Sequence, residues 1–308
     1  MKAAAQRQKP VDQPFRTVWE GKAGSKVDLR VVEGKGHFEG IAIEAGKIVA
    51  RTKGAAVEET VNALRGVFAR SMAGYVGFEG AKAKFLQIFA QGFETPEYLK
   101  RERDYKLVAK AKLDAAVPVK AAAKASGSKL GEEAMRAFQA TNMLSPFEKT
   151  RLGNCLRGEE GDAFLHGAAA FANGDIAGGL ATMEAALKPH EAAKWTSVTY
   201  LPFLWQPETH MFLKPEATTE FATLVGHGFG FDYAPALNAE VYASLLDLVA
   251  TTEREIADLK PRDRIDVQSF IWVVGKYDVA AEKLRQEKAV AAAAARAAAK
   301  AAKAAAGD

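Results

Sequence analysis

The chain has 308 residues, 48% hydrophobic and 26% charged, with a formal net charge of +4, a composition ordinary for a folded protein with its own core and, at this length, about two domains. That balance excludes a wholly disordered chain and a charge-driven polyanion coat, so any electrostatic footprint must be local. The lone Cys155 excludes an intramolecular disulfide and a multi-cysteine metal site.

The first residues carry Lys2, Arg7 and Lys9 without an apolar core, unlike a secretory signal. The longest strongly apolar runs, 200–205 and 270–274, are far shorter than the roughly 20 residues of a membrane-spanning helix. A cytoplasmic location without a membrane partner is expected.

Residues 1–14, with Pro10 and Pro14, read as a flexible arm, and 15–75 as a small α+β module. From 15 to 53 the pattern has period two: Val27, Leu29 and Val31 alternate with charge, and apolar runs at 38–43 and 48–49 follow glycines. This predicts three or four antiparallel strands, with a tight turn at Glu44-Ala45-Gly46-Lys47. Val57, Val61, Leu64 and Phe68 then fall at helical spacing behind Glu58 and Glu59. The unit resembles the compact α+β modules of some RNA-binding and antitoxin proteins, without a motif that names a family.

Residues 76–120 read as a helical segment. Phe85, Leu86 and Phe89 share a face, and Thr95-Pro96-Glu97 is expected to cap and open a helix over 98–113 that Pro118 ends. A linker is expected at 121–131, rich in Lys, Ser and Gly, and a helical domain at 132–279. Ser145-Pro146 introduces one helix, and helices over 164–171 and 176–187 form a hairpin around Asn173-Gly174-Asp175. That hairpin resembles one tetratricopeptide unit at Gly167, Gly179, Met183 and Ala186. It departs from the pattern at Ala163 and Ala170, and no second copy follows at a spacing of about 34 residues, so a solenoid is not implied.

The run 195–205 is the most apolar and is placed at the centre of the second core, with an extended connector at 210–215. Asn238 caps a long helix, and 263–274 is apolar on too many sides for a surface helix. The fold class is therefore α+β, predominantly α, closed by an Ala/Lys-rich tail at 280–308.

The five histidines are scattered, so no local zinc motif exists. His210 and His227 flank one predicted helix, and the glycine-rich run 226–230 reads as a helix stop rather than a phosphate cradle. Asp263, Asp266 and Gln268 resemble part of a nuclease metal site of the Asp…Gln-x-Lys type, but Phe270 stands where the lysine belongs. Their structural reading is Asp263 as a helix cap, Asp266 paired with an arginine, and Gln268 hydrogen-bonded near a buried Trp272.

The helix after Pro96 carries a row of cations that reads either as a solvated, ion-paired face or as a phosphate-contacting one. In the tail, Lys283, Arg285, Lys288, Arg296, Lys300 and Lys303 oppose Glu282, Glu287 and Asp308, six against three, for a net +3. Alanine favours helix but buries little surface, so the tail is expected to project or fray.

The leading expectation is a non-enzymatic, cytoplasmic nucleic-acid-associated protein. In it Lys100, Arg101, Arg103, Lys106, Lys110 and Lys112, with Arg296, Lys300 and Lys303 of the tail, contact phosphates without reading sequence. No catalytic residue, cofactor or metal ligand is assigned. The alternatives are a helical adaptor using the hairpin and 195–205, and a metal-dependent hydrolase at Asp263, Asp266 and Gln268.

Overall fold

The computed structural model describes the backbone of residues 16–23, 27–71, 74–127 and 129–305, and their side chains except at 22–23, 68–71, 293–294 and 297–305. The expected arm at 1–14 lies outside the described residues. The chain divides into two compact units, Met1–Ala73 and Gly74–Asp308. The fold is α+β and predominantly α, one antiparallel sheet followed by many helices.

In the first unit, β1 (Arg16–Ala23), β2 (Val27–Glu33), β3 (Phe38–Glu44) and β4 (Lys47–Gly54) form an antiparallel meander in sequence order. Val27, Leu29 and Val31 are buried while Asp28 and Arg30 are exposed, as period two requires. Glu44 pairs with Lys47, and the residues between them both have positive φ, Ala45 at 49° and Gly46 at 76°. Two such residues make the primed hairpin turn whose twist suits the flanking strands. Helix α1 (Val57–Ser71) packs on β3 and β4 and buries Val61 and Leu64.

The second unit opens with α2 (Gly77–Ile88), which buries Phe85 with the following Phe89; Leu86 is only half-buried. A continuous helix then runs from α3 (Pro96–Tyr98) through a π turn (Leu99–Arg103) into α4 (Asp104–Ala116). Thr95 does not cap it; its hydroxyl accepts from the Gln91 N–H at 3.1 Å. The 121–131 stretch, containing the end of α5 (Val119–Ala122), runs inside this unit. Ala122 and Ala125 are buried, and His166 Nε2 donates to the Ala125 carbonyl at 2.8 Å. A lysine-rich composition there hides small residues that pack.

Next come α6 (Leu130–Gln139) and α7 (Pro146–Arg157), the latter begun by a reciprocal capping box between Ser145 and Glu148. Helices α8 (Gly161–Ala172) and α9 (Ile176–Leu187) form the hairpin, with Asp175 capping α9 through the Gly178 N–H. A Cβ at Gly167 would lie 2.9 Å from the Gly179 carbonyl oxygen, so glycine is what lets the two backbones approach. All of α10 (Trp195–Trp205) is buried.

Then follow α11 (Pro215–Val225), stopped by Gly226 in the left-handed conformation, and the short α12 (Phe229–Asp232). Asn238 caps α13 (Ala239–Glu255). Asp263 caps α14 (Arg264–Lys276), and α15 (Val279–Ala305) closes the chain. Among the described residues no helix is long and apolar enough to cross a membrane.

Candidate functional site

The charged helix after Pro96 faces inward. The Asp104 N–H bonds to the Leu99 carbonyl, five residues back. A π turn holds one residue more than an α turn, and such turns recur at functional sites. With it, Tyr98, Glu102, Arg103, Lys106, Ala109 and Leu113 are all buried. The expected solvated face is therefore corrected at these residues: Arg103 and Lys106 meet polar side chains of α14, and Glu102 meets the Tyr277 hydroxyl just beyond it.

Two clusters result. In the first, the Arg103 guanidinium donates to both oxygens of Asp263, at 2.8 and 2.7 Å, and to Asp266 Oδ1 at 2.9 Å. Asp266, fully buried, also accepts from the Tyr98 hydroxyl at 2.6 Å and from Arg262 Nε at 2.7 Å and Nη2 at 3.0 Å. Burial opposes its ionisation, but the hydrogen bonds from Arg262 and Tyr98 and the charge of Arg103 prevail and hold its pKa below the ordinary value. Asp263 caps α14 through the Ile265 N–H at 2.9 Å. These carboxylates are saturated by arginines.

The second cluster surrounds Lys106. Its Nζ donates to Gln268 Oε1 at 2.6 Å and to Ser269 Oγ at 2.8 Å, and the residue is 1% exposed. Burial pushes the ammonium down to about 8, against the opposing charges of Glu102 and Asp266. Burial raises the Glu102 carboxyl, which accepts a hydrogen bond from the Tyr277 hydroxyl.

This cluster forms one wall of a cavity of about 320 Å³. Arg101, Lys106 and Lys214 line it with a single acid, Glu102, the amides of Asn142 and Gln268, Met143, and the rings of Tyr105, Phe212, Trp272 and Tyr277. Lys214 Nζ donates to the Met143 carbonyl at 2.9 Å. Arg101 lies 4.9 Å over the Tyr277 ring and is gripped by Glu282 of α15 through two bonds of 2.9 and 3.0 Å.

The other residues singled out in the sequence lie elsewhere. Lys100 and Lys112 are exposed, and Lys110 is spent on the Trp205 carbonyl at 2.8 Å and Asp114 at 3.0 Å. Arg296 is exposed, and the side chains of Lys300 and Lys303 lie outside the described residues. His210 donates to the Ala172 carbonyl and His227 pairs with Asp247, so these histidines serve separate places. Cys155 is buried and its thiol is pushed up to about 12, which removes it as a nucleophile.

The lysine missing at position 270 has a spatial counterpart, since Lys106 meets Gln268 from another helix. Asp266, two residues earlier on α14, is committed to the arginines instead. Among the described residues no group of three or more His, Cys, Asp or Glu is placed to hold a metal ion. Sequence reading missed Lys106 as an inward residue, although Tyr98, Glu102, Lys106, Ala109 and Leu113 recur at helical spacing. Comparisons with protein-family models, with curated proteins and with solved structures each find no match for this chain.

Proposed function

We propose that the second unit binds a small organic anion in the cavity beside Lys106. One observation carries the reading: three cations and one acid line a partly open cavity together with four aromatic rings. Apolar walls with a few convergent polar groups are the usual make-up of a ligand pocket. Burying an ammonium is costly, and an apolar residue of similar size often fills such a place at no loss of stability. A lysine kept there fits a role beyond holding the fold.

A thermal-shift panel of small carboxylates and phosphates beside their neutral amides and alcohols tests the reading. Anions are expected to raise the melting temperature increasingly with their concentration, and neutral isosteres are not. An equal response to both classes contradicts it.

A second reading keeps the nucleic-acid expectation, now carried by Lys100 and Lys112 with Lys283, Lys288 and Arg296 of α15. Its support is that α15 begins beside the cationic helix, where Glu282 grips Arg101 and Arg285 meets Glu97. Those bonds also consume part of the charge. Binding to a nucleic acid across a salt series, with and without 281–308, checks it; affinity unchanged by the deletion removes the tail from the interface.

A further inference from the structure

Resting on the reading of the cavity as an anion site, we infer that Lys106 is its nucleophile and condenses with the carbonyl carbon of a bound α-keto acid, forming an imine and releasing water. Lys106 and Lys214 are the two amines of the cavity, and they are held differently. Lys214 is only half-buried and donates to the Met143 carbonyl, whereas Lys106 is shut away from bulk water between Tyr105, Gln268 and Ser269. Desolvated lysines are the ones that form Schiff bases, because the neutral amine becomes accessible near neutral pH. Lys214 supplies positive charge for the carboxylate, joined by what Glu282 leaves of the Arg101 charge.

The step balances without an oxidant or reductant. The Lys106 nitrogen bonds to the carbonyl carbon while the carbonyl oxygen takes up a proton; that oxygen then leaves as water with a second proton, and the nitrogen has lost two. Glu102, four residues earlier and in the same wall, can lend and recover the proton, and its hydrogen bond from Tyr277 keeps the pair in place. Ser269 cannot fill this role while its hydroxyl donates to the Ile265 carbonyl at 2.7 Å. Gln268 Oε1 remains an acceptor for a protonated imine.

The test is reductive trapping. The full chain is incubated near pH 7 with pyruvate and cyanoborohydride, and the modified lysines are located by peptide mass mapping. Lys106 is expected to take the label roughly tenfold faster than surface lysines, whose amines titrate near 10.4. Lys106→Arg and Lys106→Gln should lose that label, and mapping of the unmutated chain alone still decides the matter if neither variant folds. Absence of selective label at Lys106 overturns the inference. If calorimetry then shows that pyruvate or another small anion binds, the anion-site reading stands without the imine; if none binds, both fall.

Discussion

The α8–α9 hairpin and the seam between the cationic helix and α14 are both contacts between helices of the second unit, held together by opposite means. The hairpin closes on small residues: Gly167 and Gly179 bring the backbones together, and Leu180, Met183, Phe164 and Phe171 are buried around them. The seam buries Glu102, Arg103, Lys106 and Asp266. Apolar contact stabilises in proportion to the area removed from water, whereas buried ions approach neutrality only when every charge is met. The hairpin thus needs no purpose beyond the fold. In the seam, the Asp263–Asp266–Arg103 half is fully satisfied, and the Lys106 half opens on a cavity.

The largest effect that separates the two contacts is expected from Asp266→Ala, which strands the Tyr98 hydroxyl and leaves the buried Arg103 with Asp263 alone. It should cost about 3–5 kcal/mol in a urea melt, and pairing it with Arg103→Met should recover part of that loss. In the hairpin, Gly179→Val is expected to cost about 1–3 kcal/mol by overpacking, with a Cβ already only 2.7 Å from the Gly167 carbonyl oxygen. Equal and additive costs for the Asp266 and Arg103 variants would break the contrast between the contacts.

A subtler separation comes from pH. The folded-state pKa of Lys106, about 8, lies below the ordinary lysine value, so between the two the unfolded chain binds more protons and folding gains stability as pH rises. Lys106→Met lacks that gain. Its destabilisation relative to the parent should grow from pH 8 to pH 10, by at most about 1.4 kcal/mol per pH unit. Denaturation at three pH values checks the slope, and a flat difference would show that Lys106 titrates like a surface lysine. The smallest effect is expected from Lys112→Ala, which is exposed and should lie within about 0.5 kcal/mol of the parent.

The same contrast explains what the sequence disclosed. Asp175, Ser145, Asn238 and Asp263 act as helix caps because capping is local chemistry, legible from a few residues. The alternation in β2 and the apolar run of α10 are equally local. The buried run of α10 also leaves no surface there for the adaptor reading. The inward turn of Glu102, Arg103 and Lys106 was hidden for two reasons: a charged helix face ordinarily meets water, and the partners Asp263, Asp266, Gln268 and Ser269 lie far along the chain. The π turn has no composition of its own to announce it. The cavity draws Asn142, Met143, Phe212 and Lys214 from connecting segments and Tyr277 from just beyond α14, so no spacing motif could reveal it.

Isothermal titration of small keto acids, carboxylates and phosphates into the parent chain and into Lys214→Met tests the central claim most directly. Lys214 is half-buried and outside the Asp266 cluster, so its loss should leave the fold intact. One site per chain is expected for at least one of these anions, weakened about tenfold or more, roughly 1.4 kcal/mol, by the substitution. Absence of binding by every anion, or an affinity indifferent to Lys214→Met, would contradict it.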